Sequence, residues 1–116
     1  MTIEEQFKLK YKFDNLEAVQ LIQYLSVCHG ELSDEGLECF VKRDMGKFIH
    51  KLMKRRPSDT SKDFTMTIGW YEFQSIKYAY NTFAHESIFS AFPLVSPLIG
   101  KLDQLLPAGF SFSVSH

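Results

Sequence analysis

Residues 7–13, FKLKYKF, alternate without a break: Phe7, Leu9, Tyr11 and Phe13 fall on one side, and Lys8, Lys10 and Lys12 on the other. Successive side chains turn by about 180° in a strand and about 100° in a helix, so only a strand keeps the four apolar residues on one face. The alternation returns in FTMTIGW, where Phe64, Met66, Ile68 and Trp70 oppose Thr65, Thr67 and Gly69. It returns again in the tail, where Phe110, Phe112 and Val114 oppose Ser111, Ser113 and Ser115. Three strands are therefore expected, near 7–13, 64–70 and 109–115.

Between the strands the period lengthens to that of a helix. Asp14 or Asn15 can cap a helix near 15–29, with Ala18, Val19, Leu21, Ile22, Leu25 and Cys28 as its apolar stripe and Gly30 at its end. Ser33 can cap a second, near 34–56, in which Leu37, Phe40, Val41, Met45, Phe48, Ile49 and Leu52 form one wide apolar arc opposite Gly46. Acidic residues open that helix and basic ones close it, matching the macrodipole. A long helix near 71–92 stops before Pro93, and a short one near 97–106 follows Ser96-Pro97.

The order strand, helix pair, strand, helix pair, strand predicts an α+β fold. Each helix pair reverses the chain twice, so the middle strand runs against the other two and is expected at the centre of a three-stranded antiparallel sheet. About four helices would cover one face. The other would show Lys8, Lys10, Lys12, Thr65, Thr67 and the serines of the tail to water.

Composition narrows the class. At 116 residues, 45% apolar and 23% charged, the chain reads as a single domain spanning 1–116 with an aromatic-rich core supplied by eleven phenylalanines. The two cysteines, Cys28 and Cys39, suit neither a disulfide framework nor a zinc site and are expected as buried free thiols. No basic segment leads into an apolar run, and the longest apolar stretch is broken by prolines, so a cytoplasmic protein without a membrane segment is expected.

The net charge of −1 conceals a segregation along the chain: residues 39–62 hold eight bases and two acids. Within this basic helix, 42–56, Arg43, Lys47, His50 and Lys54 recur at i, i+4, i+7 and i+11 and make one stripe about 16 Å long. Like charges at this spacing repel, so the stripe calls for a counter-charge, which the Glu31–Glu38 stretch could supply, or for an anionic or acidic partner. The lysine row of the first strand reads either as a guard against edge pairing or as an anion platform.

The long helix is apolar on two sides. Phe73, Ile76, Ala79, Tyr80 and Phe83 face the sheet, whereas Tyr71, Tyr78, His85 and Phe89, followed by Phe92, lie on the other half among small polar residues. Such a second face either packs under neighbouring helices or meets a partner. Signatures of phosphate loops, hydrolases and metal sites are absent from the sequence, and no catalytic residue, metal or cofactor is assigned. The reading is a non-enzymatic protein-binding domain: an inhibitor, an immunity or antitoxin-type factor, or an adaptor. Its expected partner is a protein, met by Tyr71, Tyr78, His85 and Phe89, with the basic stripe steering the encounter. The alternative is a nucleic-acid-binding protein using helix 42–56 with Lys8, Lys10 and Lys12; a small hydrolase or nuclease is the third. Oligomeric state is left open.

Overall fold

The structure, a computed structural model, describes residues 2–83 and 90–112. A single turn, α1 (Ile3–Gln6), leads into β1 (Lys8–Phe13), followed by α2 (Asn15–Glu31) and α3 (Glu38–Arg55). Then come β2 (Phe64–Gly69), α4 (Trp70–Thr82) and α5 (Val95–Leu105). No helix among the described residues is long and apolar enough to cross a membrane.

The predicted alternation holds in both strands. They pair antiparallel, with Leu9 opposite Ile68, Lys10 opposite Thr67, Tyr11 opposite Met66 and Lys12 opposite Thr65. Phe7, Leu9, Tyr11, Phe13, Met66 and Ile68 are buried, while the three lysines and both threonines are exposed. Each large side chain fully removed from water stabilises the fold by about 1.5–3 kcal/mol, so a one-residue register slip would be heavily penalised.

Among the described residues the expected third strand is not formed and β2 is not a central strand: the α+β class stands, but the sheet there has two strands. Within 109–112 the cause is visible. Pro107 and Gly109, the latter at φ 92°, make a turn closed by Phe110 N–H to Pro107 O. The next backbone groups are taken by side chains: Phe112 N–H donates to Asp103 Oδ1 at 3.0 Å, and Asn81 Nδ2 donates to Phe112 O at 2.6 Å. The alternating Phe110 and Phe112 instead add rings to a cluster with Phe7, Trp70 and Phe73. Residues 113–115 of the expected strand lie outside the described residues.

Helix boundaries follow local chemistry. Asp14 caps α2 by accepting from Leu16 N–H at 2.8 Å, and Glu17 reaches back to Asp14 N–H at 3.1 Å. That frees Asn15, which is buried. Its amide donates to Pro57 O and Asp59 O and accepts from Arg56 Nε, clamping the α3–β2 loop onto α2. Ser33 does not cap α3. Its hydroxyl accepts from Glu35 N–H in a turn that ends at Gly36, φ 69°, and α3 begins only at Glu38. Gly46 faces α2 rather than solvent: a Cβ there would lie 3.2 Å from His29 Nε2, so glycine permits the close approach of the two helices. Cys28 is buried and Cys39 half-buried, and both are free.

The long helix predicted over 71–92 is described as α4, from Trp70 to Thr82, with Phe83 as its C-cap; residues 84–89 lie outside the described residues. α3 and α4 run antiparallel. Glu38 at the start of α3 meets Tyr78 late in α4, and Lys51 late in α3 meets Glu72 at the start of α4.

Candidate functional site: the seam between helices α3 and α4

Glu72 fixes the lower end of the seam. One of its oxygens accepts from Gly69 N–H at 2.7 Å, capping α4 where it leaves β2, and the other takes Lys51 Nζ at 2.7 Å. This carboxylate thereby holds the strand–helix junction against α3 and leaves Tyr71, its chain neighbour, 56% exposed. Between Tyr71 and α3 lies an open cleft of about 420 Å³, bordered by Arg43, Asp44, Lys47, Phe48 and Lys51. Phe48 forms part of its floor and is buried. Arg43 lies 3.4 Å from Asp44 and also over the ring of Phe40, 5.4 Å from its centroid. Phe40 itself is 55% exposed, and Leu37, one turn before it, 84%.

The predicted aromatic stripe is thus divided. Tyr71 is open to solvent beside the cleft. Tyr78, two turns on, is half-buried against the core, and its hydroxyl donates to Glu38 Oε2 at 2.6 Å. His85 and Phe89 lie outside the described residues. Phe92 packs on the core, with its ring 6.3 Å from that of Tyr24.

The Glu38–Tyr78 pair is an electrostatic tie. The Tyr78 hydroxyl, helped by Ser33 N–H, holds the Glu38 carboxyl below its ordinary range, and the carboxylate in turn raises the Tyr78 phenol. A depressed carboxylate contributes stability above its unfolded pKa and loses it as pH falls through the folded one. Tyr78→Phe removes only the hydroxyl. Glu38 is then expected to titrate closer to an ordinary glutamate in a carbon-detected NMR titration; an unmoved midpoint would show that the hydroxyl has no hold on it.

The basic stripe is also divided. Arg43 and Lys47 border the cleft with Tyr71. His50 lines a different groove, with Ser26, His29, Gly46, Ile49 and Met53 between α2 and α3, and Lys54 stands in solvent. The expected counter-charges of the 31–38 stretch go elsewhere: Asp34 pairs with Lys42 at 2.9 Å, and Glu38 with Tyr78. Among the described residues, Lys47 and Lys54 have no ion pair.

Phe40, Lys51 and Glu72 belong to this seam and were not singled out from the sequence. Phe40 had a readable signal: it precedes Lys47 by seven residues, about 20° away on the wheel, and so falls on the basic stripe rather than in the apolar arc. Both carboxylates bordering the cleft are engaged, Asp44 by Arg43 and Glu72 by Lys51 and Gly69. What the seam offers a visitor is the Lys47 ammonium, the Tyr71 phenol and the cation-covered Phe40 ring. Comparison with protein-family models, with curated proteins and with solved structures finds no match to this chain.

Proposed function

We propose that the chain is a non-enzymatic protein-binding domain, of the inhibitor, immunity, antitoxin or adaptor kind, whose working surface is the α3–α4 seam. The observation that carries the reading is the meeting of the exposed Tyr71 ring with Arg43 and the unpaired ammonium of Lys47 around one open cleft, with the exposed Phe40 ring under Arg43 beyond its border. Tyrosine and arginine-covered rings provide large rigid contact area at small entropic cost, the chemistry of interface anchors. The cations favour an acidic partner and would speed its encounter. The engaged state of Asp44 and Glu72 supports binding over general-base chemistry, because neither carboxylate is left to accept a substrate proton.

The test compares the wild-type chain with a Tyr71→Ala, Lys47→Glu variant in affinity capture, followed by titration of the purified captured protein. Both side chains are exposed, so the melting temperature should stay within about 2 °C. Loss of one aromatic anchor is expected to weaken binding by about thirtyfold, equivalent to about 2 kcal/mol, and the charge reversal to slow association, most at low salt. A partner held equally by both proteins overturns this reading.

A further inference from the structure

The outer face of the sheet is a second charged surface, which shares only Lys51 with the cleft beside Tyr71. Lys8, Lys10 and Lys12 project from it, and Thr65 and Thr67 stand opposite Lys12 and Lys10 in register. The same two threonines are met from the other side by α3. Arg55 Nη2 donates to Thr65 O and Lys51 Nζ to Thr67 O, each at 3.2 Å. Two rungs result, Lys12–Thr65–Arg55 and Lys10–Thr67–Lys51, which join the lysine row to the last turns of the basic helix. The sequence presents these as two separate charged sets; the fold makes them one surface. Of its five cations only Lys51 has a carboxylate partner among the described residues.

We infer that this surface binds the phosphate backbone of a nucleic acid, without reading its sequence. Protection of the sheet accounts for charge on an exposed strand and for the bonds from Lys51 and Arg55 to main-chain carbonyls of β2. Those bonds also bring the two cations up to the lysine row, where four of the five positive charges have no carboxylate among the described residues. The spacing is regular. Alternate residues of a strand lie about 6.7 Å apart, so Lys8 to Lys12 spans about 13 Å. Each strand of a duplex presents one phosphate per roughly 3.4 Å of axis, so the row covers at most about four nucleotides, and fewer on an extended single strand. The threonine hydroxyls between the cations add donors of the kind that phosphate oxygens accept. No aromatic ring projects from Thr65, Thr67 or the lysine positions, so the face offers bases nothing to stack on. Contact is confined to the backbone, and carboxylates on an acidic protein lack its fixed repeat.

Fluorescence anisotropy with a labelled single-stranded oligodeoxynucleotide of about 20 nucleotides, longer than the expected site, tests this. Binding is expected at low salt, with homopolymer and mixed sequences within about threefold of each other. The slope of log affinity against log salt should be about −2 to −3.5 for three to five neutralised phosphates. Lys10→Glu with Lys12→Glu should weaken binding at least tenfold and flatten the slope by about 1.4, the share of two contacts. Tyr71→Ala should leave it unchanged. If the double charge reversal fails to fold, Lys10→Gln with Lys12→Gln is measured instead, with the same flattening expected. Absence of binding at low salt, equal binding by the lysine variants, or displacement by polyglutamate as effective as by unlabelled oligonucleotide overturns the inference.

Discussion

Phe73→Ala is expected to cost about 3–5 kcal/mol, the range for removing a buried phenylalanine from a packed core. Phe73 is buried on the inner side of α4, and four other rings surround it: Phe7 stacked at 4.8 Å, Phe112 edge-on at 4.9 Å, Trp70 at 5.8 Å and Phe110 at 6.2 Å. These rings come from the segment before β1, the strand–helix junction and the C-terminal segment, so one truncation loosens three otherwise separate parts of the chain. Domains of this size are stable by only about 5–15 kcal/mol, and the loss is a large fraction of that. A urea titration should show the midpoint falling by at least about 1 M, for slopes of about 1–3 kcal/mol per molar. Tyr71 precedes Phe73 by two residues, so its exposure beside the cleft also rests on this packing. A midpoint shift below about 0.5 M would mean that the neighbouring rings close over the vacancy and that the cluster is not what anchors α4.

That ring cluster also explains where sequence patterning succeeded and where it failed. FKLKYKF and FTMTIG gave correct strands because their apolar residues line one face of a sheet, with the lysines and threonines between them on the other, whereas Trp70, expected to end the second strand, opens α4. GFSFSVSH shows the same period, yet period 2 says only that Phe110 and Phe112 point the same way. Whether the backbone between them joins a ladder depends on what its N–H and C=O groups meet. Here they meet Asp103 and Asn81, which lie 9 and 31 residues from Phe112. No local pattern encodes that. The same holds for Ser33, whose capping chemistry was recognised but is spent on a turn because Gly36 supplies a positive φ before the helix can begin.

The surface was legible in part. Tyr71 on a second aromatic face and Arg43 with Lys47 as a basic arc were readable from the helical wheel, whereas the exposure of Tyr71 was not, and the fold places the three around one cleft. The wheel could not show that Tyr78, on the same stripe, faces the start of α3, since that depends on the antiparallel packing of two helices. It does set Phe40 towards the basic stripe, but it could not show that Leu37, closer to the core residues of the arc, would also be left in water. An apolar arc wider than the neighbouring elements can cover must leave its margin in water, and these two residues are that margin. The union of the lysine row with Lys51 and Arg55 depends on β2 lying between them, which no spacing in the sequence implies.

Glu17→Ala is expected to be nearly as damaging as the core truncation, at about 2–4 kcal/mol. The carboxylate is only 6% exposed and serves three elements at once. It accepts from Asp14 N–H at the start of α2, from the Tyr11 hydroxyl of β1 at 3.2 Å, and from Lys101 Nζ of α5 at 2.9 Å. Losing the helix cap costs about 1 kcal/mol, and leaving the Tyr11 hydroxyl buried without an acceptor costs about 1–3 more. Glu17→Gln separates shape from charge. It keeps an acceptor for Asp14 and Tyr11 and surrenders only the ion pair with Lys101, whose side chain is 59% exposed, so its cost should stay near 1 kcal/mol. The pH dependence of stability supplies the cross-check. Burial, and then the Glu17 charge and hydrogen bond, push the Tyr11 phenol up to about 12 from an ordinary 10.0. Above pH 10 the unfolded chain releases this proton while the folded chain keeps it, so stability is whole below pH 10 and declines as pH rises towards 12. Two units correspond to at most about 2–3 kcal/mol. Tyr11→Phe should remove that share of the alkaline decline in urea midpoints measured between pH 9 and 12, leaving the part due to Tyr24, which burial also pushes up. In Glu17→Gln the decline should shrink without vanishing, because the charge is gone and the burial remains. Parallel alkaline curves for wild type and Tyr11→Phe would refute the assignment and move the proton release to Tyr24 or another group.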